Sequence, residues 1–174
     1  SLPILIADSE SLASEPYLAD SARLDWLVHV ASRAADAPHT QPALDELATQ
    51  APDVLHMQLR PGTAVLASEW PVRSIWLAHQ PLAGEASGEG DRFAAARSAL
   101  ADGRREHALV WRDAYEVRVD AIDEGSAAFT SSVLGGASLA AALDTAGDGF
   151  AFDQWLVRAL EQRWIVALQP MEIR

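Results

Sequence analysis

The order of apolar and polar residues predicts two helices in the first third of the chain. Through residues 16–35, apolar residues such as Leu24, Leu27 and Ala31 recur at the spacing of one helix face. An α-helix turns once per 3.6 residues, so this spacing predicts a long helix with one buried stripe. Trp26 lies beside the stripe and is predicted to be a core residue. Residues 36–42, with two prolines, predict a loop, and residues 42–48 predict a short helix that begins at a proline.

Strict alternation of apolar and polar residues follows over residues 54–60 and predicts a half-buried strand. Pro61 and Gly62 suit a type II turn, so residues 63–68 are predicted to return as the second strand of a hairpin. A short helix carrying Trp76 is predicted over residues 71–79. Residues 81–106 hold four glycines among acidic residues and predict a mobile loop around one helix, residues 92–101.

A second hairpin is predicted from residues 108–112 and 115–120. In that arrangement Ala108, Val110, Val117 and Val119 share one face. The dipeptide at 113–114 is not a favoured two-residue turn, so the sequence leaves the register of this hairpin open.

The last third of the chain is predicted to form three helices. Residues 123–134 end at a pair of glycines, and Ser138 caps residues 139–146, which end at Gly147. The final helix is predicted from residue 153 to about residue 168, with Trp164 in the core. The fold class is therefore α+β: N-terminal helices, a small antiparallel sheet of two hairpins, and a C-terminal winged-helix-like helical module. Residues 1–80, 81–106 and 107–174 are the predicted parts, either one compact unit or two small subdomains.

Composition limits the classes of partner. The chain of 174 residues has a formal net charge of −12 at pH 7, and all 13 of its basic residues are arginines. Such a negative chain repels phosphate, which argues against nucleic acid and anionic membrane as partners. The sequence has no cysteine, no apolar run long enough to span a bilayer and no basic N-terminal region, so we expect a cytoplasmic protein. The first residue is not Met, which leaves a preceding segment open.

The sequence carries no pattern typical of a catalytic or metal site. Its five histidines are scattered, and no two have the i, i+4 spacing that places two imidazoles on one helix face around zinc. The adjacent carboxylates at 45–46 and 123–124 fit helix N-termini, where the helix dipole favours negative charge. We therefore expect no catalytic residue, no metal site and no cofactor in this chain.

Tryptophan and arginine lie close together around the predicted strands. Trp70, Trp76 and Trp111 are near Arg73 and Arg112 in the sequence. Trp and Arg are enriched among the buried anchors of protein interfaces, whereas ordinary packing with cation–π contacts is the other interpretation. On the interface interpretation, Trp70, Arg73 and Trp76 are the predicted contacts with a partner protein.

A hairpin followed by three helices also fits a winged-helix variant, and a DNA-binding transcriptional regulator is the alternative function. From residue 123 to residue 170, however, six acidic residues stand against two basic ones, Arg158 and Arg163. A recognition helix must approach phosphate, so this charge balance gives the alternative little support. An independent small-molecule enzyme, the third class, would need a polar pocket of which the sequence carries no sign.

Five segments in order carry a resemblance to a known family: EPYLADSARLDW at 15–26, LRP at 59–61, SEWPVRSIW at 68–76, ALVWR at 108–112 and LGGASLAAAL at 134–143. They resemble the C-terminal half of the HvfC/BufC family and span most of the chain. Larger members carry a helical N-terminal domain that has no counterpart in this sequence. The chain is therefore most similar to the shorter members, which belong to methanobactin biosynthesis. A thiopeptide-like branch is the other option.

The resemblance implies a non-catalytic accessory subunit. Its partner would be a TIM-barrel enzyme with a multinuclear non-haem iron site, bound to it as a heterodimer. That enzyme would oxidatively modify cysteines of a ribosomally made precursor peptide, with oxazolone and thioamide formation, for a copper-chelating natural product. The accessory subunit would hold the precursor's leader, and the iron would stay in the partner. The family supplies no catalytic residue for this chain.

An extended leader peptide can add to an exposed strand edge. The hairpin of residues 108–120 is the predicted edge, because it follows a long loop and little need cover its outer strand. The predicted peptide-binding residues are Trp111, Arg112, Tyr115, Val117 and Arg118. The two arginines would meet an acidic leader.

Overall fold

The computed structural model describes residues 15–37, 44–80 and 89–170, with only the backbone of residues 89–92. Seven helices form within these ranges: α1 Leu18–Ser32, α2 Asp45–Thr49, α3 Val72–Ala78, α4 Glu89–Ala101, α5 Glu124–Leu134, α6 Leu139–Ala146 and α7 Phe152–Glu161. Five strands accompany them: β1 Leu55–Leu59, β2 Ala64–Ser68, β3 Glu106–Asp113, β4 Glu116–Ile122 and β5 Ile165–Pro170. The predicted α+β class is confirmed. No helix in these ranges is long and apolar enough to cross a membrane.

The strands form two antiparallel sheets, one with the order β2-β3-β4 and one that pairs β1 with β5. β3 and β4 form the predicted hairpin, with Val110 opposite Val119. The other predicted hairpin is wrong: β1 pairs with β5, and β2 pairs with β3. Alternation along a segment predicts a strand, but the packing of distant elements decides which strand lies beside it.

The turn between β1 and β2 passes close to the C-terminal end of α1. Gly62 has a φ of +80°, and a Cβ atom at this position would lie 2.6 Å from the Cβ of Ala34. Only glycine combines the left-handed backbone with so close an approach. The chain leaves the two-stranded sheet and enters the three-stranded one across this contact.

The last helix is shorter than predicted, because residues 165–170 form β5 instead of continuing α7. Arg163 has a φ of +56°, and its N–H bonds the carbonyl of Leu160 at 3.1 Å. The N–H of Trp164 bonds the carbonyl of Ala159 at 2.8 Å, which completes a Schellman cap. This cap has arginine where glycine is usual, so the sequence shows no stop signal.

The three-stranded sheet has a hydrophobic core on each face, because alternate residues of β3 point to opposite sides. Leu109 and Trp111 belong to the first core, with residues of β1, β5, α5, α6 and α7. Ala108 and Val110 belong to the second core, with residues of α1 and α3. The predicted shared face of Ala108, Val110, Val117 and Val119 is confirmed.

The two tryptophans predicted to be core residues lie in opposite environments. Trp164 is 1% exposed in the first core, as predicted. Trp26 is 60% exposed and stacks on His29 with ring centroids 5.5 Å apart, so the prediction for Trp26 is wrong. Leu24 lies on the buried line of α1, and a residue two positions later is turned by about 200° around the helix axis. Trp26 therefore faces away from the core.

Each sheet joins a strand that precedes residue 81 to at least one strand that begins at or after residue 106. The helix predicted within that stretch is confirmed as α4, and residues 81–88 lie outside the described residues. In the C-terminal part, Asp123 caps α5, and Ser138 caps α6 as predicted. β5 follows these helices and pairs with β1 rather than with the β3–β4 hairpin.

Candidate functional site

The hairpin that carries the predicted peptide-binding residues turns over two residues, Ala114 and Tyr115. Asp113 and Glu116 flank the turn as a pair. Ala114 has a φ of +50°, the left-handed conformation that tight hairpin turns require. Tyr115 is 95% exposed, so its ring stands in solvent at the end of the sheet.

β4 is an edge strand of the three-stranded sheet, and alternate residues direct their main-chain groups outward. Residues that flank a two-residue turn form a hydrogen-bonded pair, and such pairs alternate with non-bonded ones. Val117, Val119 and Ala121 therefore direct their N–H and C=O groups away from β3. In agreement, Arg73 Nε donates to the Val119 carbonyl at 3.0 Å, and Arg158 Nη1 to the Ala121 carbonyl at 3.5 Å.

The end of this edge next to the turn lacks hydrogen-bond partners within the described residues. No described residue forms a hydrogen bond with the main chain of Val117, whose side chain packs against the second core. The strand is thus anchored on its inner face, while its outward N–H and C=O have no hydrogen-bond partner in the part of the chain that the structure describes. This end of β4 offers a place where another extended chain can pair.

Trp111, a predicted peptide-binding residue, lies in the core rather than on a ligand-facing surface. It is 3% exposed, and its ring centroid lies 6.0 Å from that of Trp164. Its indole Nε1 donates to Asp120 Oδ2 at 2.8 Å. Trp111 can support the hairpin from within but cannot contact a peptide on its surface.

The two arginines predicted to meet an acidic leader are not brought together. Arg112 lies opposite Val117 on the face of the second core, whereas Arg118 lies opposite Trp111 on the other face. Arg118 pairs with Glu116 on its own strand at 2.8 Å. Of these two arginines, Arg112 is the one that lines a cleft with other arginines.

A solvent-open cleft of ≈ 180 Å³ lies at the turn end of the sheet, and we name it the arginine cleft. Its lining consists of Arg60, Arg112, Arg163, Pro61, residues 35–37 and residues 113–115. Three arginines and two aspartates, Asp36 and Asp113, meet there, which leaves one excess positive charge in a chain of net charge −12. The cleft is therefore a locally cationic place on an acidic protein.

Arg60 ties the cleft together through main-chain carbonyls. Its Nε donates to the carbonyl of Arg163, and its Nη1 donates to that of Arg112 at 3.3 Å. Arg112 Nη2 in turn lies 2.5 Å from Asp36 Oδ1. Sequence reasoning named Arg112 and Tyr115 but missed Arg60 and Arg163. These two are 103 residues apart, and only the pairing of β1 with β5 brings them together.

The predicted partner-interface residues are largely engaged within the fold. Trp70 and Trp76 are half-buried and pack against the second core. Arg73 donates to the carbonyl of Val119, as described above. Trp26 and Val30, which lie one turn apart, are the large apolar residues that α1 exposes instead.

Among the described residues, no group of three or more His, Cys, Asp or Glu side chains is placed to hold a metal ion. The chain matches no family model, no curated protein and no solved structure. The features that bear on its function are the geometry of β4, of the hairpin turn and of the arginine cleft.

Proposed function

We propose that the chain is a non-catalytic, cytoplasmic accessory subunit that binds the leader of a ribosomally made precursor peptide along the edge of β4. The observation that carries the proposal is that no residue in the described ranges forms a hydrogen bond with the main chain of Val117, beside the hairpin turn. An extended peptide gains main-chain hydrogen bonds at such an edge without rearrangement of the sheet. The catalytic partner in this proposal is a TIM-barrel enzyme with a multinuclear iron site, which modifies the precursor's cysteines as in methanobactin-type biosynthesis.

The way in which the edge is partly covered supports this function. Exposed strand edges invite aggregation, and proteins usually block them. Arg73 and Arg158 engage the outward carbonyls of Val119 and Ala121, farther from the turn. The outward carbonyl of Val117 has no such partner among the described residues. Blocking at one end and access at the other favours a short, oriented peptide over indiscriminate strand pairing.

Contact with the iron enzyme is better assigned to α1 than to the residues predicted from sequence. Trp26 and Val30 are exposed on one helix face, and tryptophan is enriched among the residues that anchor protein interfaces. Trp70 and Trp76 already bury part of their surface in the second core. We therefore propose Trp26 as the anchor for the partner.

Hydrogen exchange by NMR tests the peptide site. The probe is a synthetic leader from a short Cys-containing precursor encoded beside the gene. In the free protein the outward amide of Val117 should exchange fast, and it should become protected when the leader binds. The amide of Arg118 points toward β3 and serves as the matched control, because it should be protected in both states. Unchanged exchange at Val117 under saturating leader would reject the proposed edge.

The DNA-binding alternative gains no support from the C-terminal helices. Arg158 lies over the ring of Trp164, 5.3 Å from its centroid, and 3.7 Å from a carboxylate oxygen of Asp120. Arg163, the other basic residue of this part, lines the arginine cleft beside the hairpin turn. A gel-shift assay with genomic fragments separates the two functions, since only a regulator would retard DNA.

A further inference from the structure

Arg163 occupies a backbone position that the same chain elsewhere gives to glycine. The Schellman caps after α4 and α5 place Gly103 at φ +60° and Gly136 at φ +81°, whereas the cap after α7 places Arg163 at φ +56°. A left-handed backbone is unfavourable for any residue with a Cβ atom. Ala114, the other non-glycine residue with positive φ among the described residues, lines the same cleft. Strained residues that gather around one cleft are typical of ligand sites.

The side chain of Arg163 is available to a ligand. It is exposed, and no described residue forms an ion pair or a hydrogen bond with its guanidinium. Leu160 and Arg60, the described residues that bond Arg163, both engage its main chain. The backbone of Arg163 is strained, yet its guanidinium stabilises no contact within the described residues. This combination indicates that the side chain binds a ligand rather than stabilises the fold.

Arg112 supplies the second guanidinium, and its charge is only partly satisfied. Its side chain is 13% exposed, and its ion-pair partner, Asp36, is 82% exposed. A guanidinium carries five N–H donors in a planar fork that suits the two oxygens of a carboxylate. Because Asp36 projects from the surface, its carboxylate can leave Arg112 at little cost once another anion arrives.

Arg60 fixes the separation of the other two arginines. Two of its donors hold the main-chain carbonyls of Arg112 and Arg163, so the backbone that carries each guanidinium is tied to one side chain. The backbone of the cleft is therefore fixed before a ligand binds, which lowers the entropic cost of binding. Arg60 is a positioning residue in this arrangement.

We propose that the arginine cleft binds a carboxylate between Arg112 and Arg163, and that Asp36 pairs with Arg112 while the cleft has no ligand. The inference goes beyond the peptide edge and does not require it, since a free dicarboxylate has the same chemistry as an acidic side chain. If the ligand is a peptide, Tyr115 connects the two sites, because it lines the cleft and directly precedes β4.

Calorimetric titration of the full chain tests the carboxylate site with three probes: succinate, an acetylated and amidated tetraglutamate peptide, and inorganic phosphate. At least one carboxylate probe should bind at a single saturable site. Arg163→Gly should weaken that binding by about tenfold or more, and Asp36→Asn should strengthen it because the internal competitor is gone. Arg105→Ala removes an equal charge at an exposed position paired with Glu69, and it should leave the affinity within about twofold.

Thermal unfolding separates loss of ligand from loss of fold, because Arg163→Gly relieves the left-handed strain and should unfold at or above the temperature of the parent. Arg163→Asn, which tolerates the same backbone, is the second variant. Binding of succinate as tight as that of the peptide identifies a free dicarboxylate as the ligand, and binding of the peptide alone identifies an acidic chain. The proposal fails if neither carboxylate saturates, if phosphate binds more tightly than both, or if Asp36→Asn weakens binding. Protection of Val117 is a separate readout, so either proposal can fail alone.

Discussion

The indole Nε1 of Trp111 donates a hydrogen bond to Asp120 Oδ2 across the β3–β4 hairpin, at 2.8 Å. The same carboxylate oxygen lies 3.7 Å from Arg158 Nη2, and Arg158 covers the ring of Trp164. The hairpin is thus joined to α7 by one chain of polar contacts above the first core. This contact explains why a tryptophan with a polar N–H can be buried in the centre of the sheet.

Removing the acceptor should therefore destabilise the fold, because the donor stays buried. Asp120→Ala leaves the buried indole N–H without a partner, and we expect a loss of about 1–3 kcal/mol in the free energy of unfolding. Asp120→Asn keeps an acceptor and should lose less. Urea unfolding measures these two losses and also that of Trp111→Phe, which removes the donor. In the double variant Trp111→Phe with Asp120→Ala, the losses of the two single variants should not add. Additive losses would show that the hydrogen bond is not a coupled contact.

Substitutions at Gly62 and at Gly103, as its control, test how closely the β1–β2 turn approaches α1. Both have positive φ, but a Cβ at Gly62 would lie 2.6 Å from Ala34, whereas one at Gly103 meets nothing within 4 Å. Gly103→Ala should cost about 1 kcal/mol, the conformational term alone. Gly62→Ala should cost clearly more, because α1 must also move. Equal losses in chemical denaturation would contradict the close packing of this turn.

Asp123 should make the stability of α5 depend on acid pH. Burial acts to raise the pKa of Asp123, but hydrogen bonds from the main-chain N–H and the hydroxyl of Ser126 outweigh it, so the pKa lies below its ordinary value. A depressed pKa in the folded state adds stability above the ordinary pKa, about 3.9. That stability is lost as the pH falls through the lower folded value.

The test compares the parent with Asp123→Asn, which keeps a capping side chain but does not titrate. The difference in unfolding free energy between the two proteins should be constant near neutral pH and should shrink below about pH 4. A difference that does not change between neutral pH and about pH 3 would show that the Asp123 carboxylate gives no pH-dependent stability.

Trp26 and Trp76 should respond differently to truncation. Trp26→Ala removes an exposed ring, so the midpoint of thermal unfolding should change little while copurification with the proposed iron enzyme falls. Trp76→Ala removes packing from the second core and should lower the midpoint. If Trp26→Ala copurifies as well as the parent, the partner surface is not on this face of α1.

Local signals in the sequence were sufficient for most elements. Alternation over residues 54–60 predicted β1, and the cap at Ser138 with the stop at Gly147 predicted α6. These features depend on residues within one turn or one strand, where periodicity, capping and glycine conformations act directly. Helical periodicity led to the wrong prediction for Trp26, because the pattern alone does not show how wide the buried face of a helix is.

The sequence predicted only part of the candidate site. Arg112 and Tyr115 were named because they belong to one hairpin, and the structure places both at the arginine cleft. Arg60 and Arg163 complete that cleft from the far ends of β1 and α7. No sequence signal near Arg60 or Arg163 predicts that they belong to a site. The end of α7 at Arg163 also lacks the glycine from which a helix end is usually predicted.

By itself the sequence determined the helices and strands whose signals are local, the α+β class, and an acidic surface whose positive charge is carried entirely by arginine. Only the tertiary structure decided that β1 pairs with β5, that Trp111 is buried, and that three distant arginines share one cleft. The physical reason is the range of the interactions. Capping and periodicity act over a few residues, whereas strand partners and cleft walls are chosen when the two faces of the sheet are buried together, by contacts between residues far apart in sequence.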